Sequence, residues 1–188
     1  MLTLLPAEAT RVARSVAPAA GTLRSPGWFD FDSSCQRHVG SWSPAVFLHM
    51  TVVIVASVAV LFLYQVYAAP DLANLHRYLP LGRLGGFVVG GAIFSVCNAI
   101  LEEIVFRGVL FDAVRAARGL PMALIVTSVA FGIGHYGGYL PGVAGAVLAG
   151  IYAPALGILR VHSGGLGASI VAHVFADATI VTILARYG

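Results

Sequence analysis

The chain has 188 residues, 59% of them apolar and 10% charged, with a mean hydropathy of +0.88. A water-soluble domain carries about a quarter charged residues, so hydrocarbon is the solvent for most of this surface, and the length allows one domain. The net charge of +3, from 11 basic residues (all arginine) against 8 acids, is too small and too scattered for a nucleic-acid surface, which excludes that partner.

Residues 1–45 form a polar arm that mixes Arg11, Arg14, Arg24 and Arg37 with Pro6, Pro18, Pro26 and Pro44. It holds no apolar core of signal-peptide length, so it reads as an unstructured or interfacial arm with no secretory cleavage implied. About 20 apolar residues cross the hydrocarbon core, and the run from Val46 to about Ala69 suffices for a first transmembrane helix. A polar link with Asp71, His76, Arg77 and Arg83 completes the segment 46–83. The core, 84–188, follows. Its first apolar run starts near Leu84, contains Glu102, Glu103 and Arg107, and fades around Arg115 to Arg118. Pro121 to about Tyr139 makes a third span, Pro141 to about Leu159 a fourth, and Gly165 to about Ala185 a fifth. The expected fold is all-α: a polytopic membrane helix bundle of about five transmembrane helices, placed in the cell membrane with lipid as its surroundings. With the amino terminus inside, seven arginines fall on the cytoplasmic side against three outside, in keeping with the positive-inside tendency.

The 22 glycines sit largely inside the spans, as in Gly86-Phe-Val-Val-Gly90, where small residues let helix backbones approach. No strand precedes them and no lysine follows, which argues against a phosphate loop. Cys35 and Cys97 fit neither a zinc motif nor a redox pair, and Cys97 reads as a small hydrophobe. His38, His76 and His162 read as solvated or interfacial, and His49 as an interfacial packing residue.

Charge inside the apolar runs needs a reason, because a charged group at mid-bilayer costs about 3 kcal/mol on insertion scales. Glu102, Glu103 and Arg107 lie in the second span, His135 in the third, and His173 and Asp177 in the fifth. Glu103 and Arg107 are four apart, as are His173 and Asp177, so each pair shares a helix face, while Glu102 points about 100° away from Glu103. At 1.5 Å per residue, Glu102 lies roughly 20 Å from the face at Arg115, His135 roughly 22 Å from Leu120 and His173 roughly 15 Å from Ser163. Those depths let three helices share one intramembrane polar cavity. A carboxylate beside an imidazole can take a proton from water and make a nucleophile. A second histidine and a protonated acid can donate hydrogen bonds to the resulting oxyanion. No serine or cysteine sits in a nucleophile setting, so activated water is the expected attacking group.

Glu102-Glu103-Ile-Val-Phe-Arg107 resembles an E-E-x-x-x-R motif, Phe131-Gly-Ile-Gly-His135 an F-x-x-x-H motif, and His173-Val-Phe-Ala-Asp177 a variant of H-x-x-x-N. Their order resembles the CPBP family of intramembrane proteases, which includes type II CAAX prenyl endopeptidases and bacteriocin-processing relatives, over about residues 84–188. The resemblance implies an intramembrane endopeptidase acting on a membrane-associated protein or peptide. Glu102 would then be the general base and His135 its helper in activating water. His173 and Asp177 would bind the oxyanion, with Glu103 and Arg107 supporting the site. Position 177 is Asp where the prenyl endopeptidases have Asn, and an ionised Asp cannot donate. The water mechanism needs no cofactor. Competing readings are a zinc hydrolase with His135, His173 and Glu102 as ligands, and a non-enzymatic carrier or scaffold using the same charges.

Overall fold

The computed structural model describes residues 39–68, 70 and 84–187. The arm as far as His38, with Cys35, and the link holding Asp71, His76, Arg77 and Arg83 lie outside the described residues. Helix α1 spans Pro44–Ala68 and α2 Leu84–Glu103. The chain continues from α2 through a π-helical segment, Ile104–Leu110, into α3, Phe111–Arg118. Helix α4 spans Leu120–Gly134, α5 Val143–Ser163 and α6 Gly167–Tyr187. The described residues contain no strand. Among the described residues, four continuous helices are long and apolar enough to cross a membrane: α1, the stretch Gly85–Arg118, α5 and α6. The fifth, α4, is shorter. The protein is a helical membrane bundle.

Burial is arranged for lipid. Large apolar side chains such as Leu48, Val52, Val88, Leu101 and Ile151 face outward. Small residues and polar ones are buried, among them Ala168, Ala172, Ala176, Thr127, Ser169 and His173. Alanines at every fourth position on α6 keep its inner face narrow, so α1, α2 and α5 all pack against it. It is the most buried of the spans. The centre of the contact of α1 with the rest is apolar, through Val46, Met50 and Val53 against Leu156, Leu159, Ala168 and Ala172.

Glycine sets two details. Gly119 takes φ +82°, a backbone conformation few other residues adopt, and with Pro121 in the first turn of α4 it reverses the chain after α3. Gly132 brings α4 against α5: a Cβ there would lie 2.6 Å from the Ala146 carbonyl oxygen and 3.3 Å from Gly150 Cα.

The third span is shorter than its apolar run suggests. Helix α4 ends at Gly134 rather than near Tyr139, and its 15 residues reach about 22 Å at 1.5 Å per residue, short of the hydrocarbon thickness of about 30 Å. Glycines at 134, 137 and 138 weaken helix propagation, and the turn satisfies several of its own amides. The N–H of His135 donates to Phe131 and Gly132, that of Tyr136 to Ile133, that of Gly138 to His135, and that of Gly142 to Tyr136. Irregular backbone is tolerated at membrane depth where it lines a cavity, and this turn does so.

Candidate active site

Glu102 and Glu103 occupy the last residues of α2, directly before the π-helical segment. π-Helical turns are rare and frequent at functional sites. Glu103 is fully buried, and Arg107 nearly so. Arg107 Nη1 donates to Glu103 Oε1 at 2.9 Å and Nη2 to the Ala153 carbonyl on α5 at 3.3 Å. Its guanidinium also lies 4.2 Å from the centre of the Phe131 ring, a cation–π contact that replaces part of its lost hydration. A buried charge is tolerated when paired and hydrogen-bonded. The pair meets that condition through Oε1, Nη1 and Nη2, while Glu103 Oε2 and Arg107 Nε are buried without a hydrogen bond among the described residues.

The same Glu103 oxygen takes a second hydrogen bond, from His173 Nδ1 on α6 at 2.9 Å. The carboxylate is an acceptor, so Nδ1 carries hydrogen and Nε2 faces the other way. There Nε2 lies 3.6 Å from Glu102 Oε2 and 3.7 Å from Asp177 Oδ1. His135, the C-cap residue of α4, is set by the same logic. Its Nδ1 is 2.8 Å from the Phe131 carbonyl oxygen, which can only accept, so its Nε2 also turns to Glu102 Oε2, 3.5 Å away. Its ring stacks at 4.1 Å on Phe131. Two imidazoles thus converge on one carboxylate oxygen, and among the described residues that buried oxygen accepts no protein hydrogen bond.

All six residues singled out in the sequence, Glu102, Glu103, Arg107, His135, His173 and Asp177, are therefore brought together. Three others were not singled out. Asn98 Nδ2 donates to Asp177 Oδ2 at 3.0 Å; its signal was an amide in an apolar run, one turn before Glu102. Tyr152 on α5 sets its ring edge-on to His173, 6.2 Å between centres. Tyr139, in the turn after α4, donates its hydroxyl to Gln65 on α1 at 3.0 Å. The two histidines read as interfacial are in fact neighbours, with His49 Nδ1 3.1 Å from His162 Nδ1; a distance of 113 positions in sequence hid the pair.

Two cavities of about 500 Å³ each flank the cluster. One lies among α2, the turn after α4 and α6, with Asn98, Glu102, His135 and Asp177 on its wall and Phe87, Phe94 and Val181 around them. The other lies among α1, α5 and α6, with Tyr152 and His173 on its wall beside Val53, Leu61 and Leu148. His135, Tyr139, Asp177 and Ile180 border both.

Zinc held by three protein ligands needs them grouped around one point about 2.0–2.2 Å from each donor atom. Among the described residues no three His, Cys, Asp or Glu side chains are so disposed, His135, His173 and Glu102 included.

A helical membrane bundle with paired acids and histidines converging between its spans has the architecture of an intramembrane protease. The family described as type II CAAX prenyl endopeptidase Rce1-like matches residues 84–179, a stretch that contains the whole polar cluster, and the chain belongs to that family. No curated protein matches the chain, and no solved structure does. Membership makes it a membrane-embedded protease of the CAAX type, acting on a protein substrate.

Proposed function

We propose that this chain is an endopeptidase of the cell membrane that hydrolyses a peptide bond of a membrane-associated protein or peptide, with Glu102 and His135 activating the water. The observation that carries the proposal is the convergence of His135 Nε2 and His173 Nε2 on Glu102 Oε2, at 3.5 and 3.6 Å. A water held by that oxygen and by the His135 lone pair gives its proton to Glu102 as its oxygen attacks the scissile carbonyl carbon. The carbonyl π electrons move to oxygen, and the oxyanion is met by His173 in its protonated form, donating from Nε2. Collapse of the tetrahedral species breaks the C–N bond, and the proton held by Glu102 goes to the departing nitrogen. Collapse leaves a carboxylic acid, whose proton passes to the released amine, so the products are a carboxylate and an ammonium.

Glu103 and Arg107 act one step back in this reading, holding protonated His173 in the orientation that aims its Nε2–H at the reaction. The family's description names prenylated CAAX substrates, and the apolar walls of both cavities suit a substrate carrying an apolar group.

The test uses the full chain in proteoliposomes with farnesylated and unmodified reporter peptides. General-base catalysis contributes about 10²–10⁴-fold, so Glu102→Gln is expected to lower the cleavage rate by at least about a hundredfold while its thermal unfolding stays that of the wild type. A folded variant with full activity would remove Glu102 as the base.

A further inference from the structure

Asp177 is the member of the polar set whose chemistry is incomplete. An ionised carboxylate accepts hydrogen bonds and donates none, yet the oxyanion on an attacked carbonyl needs donors. Its two oxygens face two different groups: Oδ1 lies 3.7 Å from His173 Nε2, and Oδ2 accepts from Asn98 Nδ2 at 3.0 Å. Because the partner is an acceptor, the nitrogen end of the Asn98 amide faces position 177. That nitrogen carries two hydrogens, one is given to Oδ2, and among the described residues the amide makes no other hydrogen bond. Asn98 precedes Glu102 by four residues on α2, one helical turn on the same face. Both border the same cavity, with His135 and Asp177. A peptide carbonyl lying there against Glu102 is beside the amide.

We infer that Asn98 is a catalytic residue, supplying from its second N–H the amide donor to the oxyanion that an ionised Asp177 cannot supply. Asp177 then serves as the organiser: Oδ2 holds the amide of Asn98 by a hydrogen bond, while Oδ1, 3.7 Å from His173 Nε2, is a nearby counter-charge that leaves the Nε2 hydrogen free for the oxyanion. The two donors come from α2 and α6, and the Asn98–Asp177 hydrogen bond ties those helices together beside them. This rests on the peptidase reading above.

The rival role is a mere clamp between α2 and α6, and the two roles differ in what they move. The experiment measures kcat, KM and thermal unfolding for the reconstituted full chain carrying Asn98→Ala, Asn98→Asp, and the exchange Asn98→Asp with Asp177→Asn. Loss of one oxyanion donor costs about 10²–10³ in kcat, so Asn98→Ala is expected to lose about a hundredfold in kcat with KM within about threefold. Asn98→Asp sets two carboxylates against each other and is expected to lose at least as much. The exchange restores one amide and one carboxylate in hydrogen-bond contact, and is expected to recover at least about tenfold over Asn98→Asp. Asn98→Ala with kcat within about threefold of wild type overturns the inference, as does a folded exchange variant no better than Asn98→Asp. A loss of rate that merely follows a loss of folded protein assigns the clamp instead. Should Asn98→Ala fail to fold, the exchange variant, which keeps the α2–α6 hydrogen bond, decides alone. Wild type that cleaves while Asn98→Ala is unaffected sinks this inference only. Wild type that cleaves no better than Glu102→Gln sinks the peptidase reading and this with it.

Discussion

Glu103 gathers more of the polar cluster than any neighbour: one oxygen accepts from both Arg107 and His173, and the residue is wholly buried. Removing it leaves the Arg107 guanidinium without a counter-charge in a low-dielectric interior. Breaking a buried pair by deleting one partner costs about 3–5 kcal/mol, so Glu103→Ala is expected to lower the unfolding temperature in detergent markedly and to abolish cleavage. Unchanged thermal stability would show that Arg107 finds other partners. Glu102→Ala is the contrast: Oε2 of Glu102 anchors no protein group by hydrogen bond among the described residues, and its loss should affect rate with little effect on unfolding. At this scale much was legible beforehand. Four-residue spacing foretold the Glu103–Arg107 pair, because helix geometry alone puts those side chains together. The Glu103–His173 bond was not legible, since 70 positions separate the two and only the packing of α6 against α2 closes that distance.

Among the elements, α4 and α5 meet through glycine, and α4 stops short. A Cβ at Gly132 would press on the backbone of α5, with Ala146 O at 2.6 Å. Backbone cannot swing aside as a side chain does, so the helices must separate. Gly132→Ala is expected to destabilise by about 1–3 kcal/mol, the usual range for overpacking. Gly137→Ala, where a Cβ would meet nothing within 4 Å, is the control and should unfold as the wild type does. Equal unfolding temperatures for both would mean that the α4–α5 contact yields easily. The early end of α4 also positions His135, which sits at its C-cap with Nδ1 bonded to Phe131 O. Hydropathy alone ran this span on to Tyr139, because a window of apolar residues cannot distinguish helix from a turn sheltered in a cavity. The π-helical segment escaped for a related reason. Its residues, Ile104–Leu110, carry no apolar periodicity that sets them apart from the α-helix on either side, and within the segment Arg107 bonds both Glu103 and Ala153.

Across the whole molecule, the reaction proposed draws on groups from three helices and on a water, with both Nδ1 atoms committed to protein acceptors. Because no three His, Cys, Asp or Glu side chains among the described residues are grouped to hold a metal, exhaustive chelation is expected to leave reporter cleavage unchanged. Loss of activity on chelation, with recovery on adding zinc, would reassign His135, His173 and Glu102 as ligands. The two cavities give the same scale a second consequence. They meet at His135, Tyr139, Asp177 and Ile180, so the polar cluster is bordered by open space on two sides.

Composition and hydropathy by themselves determined that this is a helical membrane protein, since the need to satisfy backbone hydrogen bonds in lipid leaves few alternatives. Motif spacing singled out the charged and histidine side chains that stand together between the helices, because charge inside an apolar run is costly and calls for partners. The tertiary structure alone decided how those side chains face one another: that Glu103 serves two partners, that both imidazoles turn Nε2 to Glu102, and that Asn98 stands against Asp177. Those facts depend on how one helix is rotated and set in depth against the next, and that is fixed by packing between segments far apart in the chain, which no local pattern encodes.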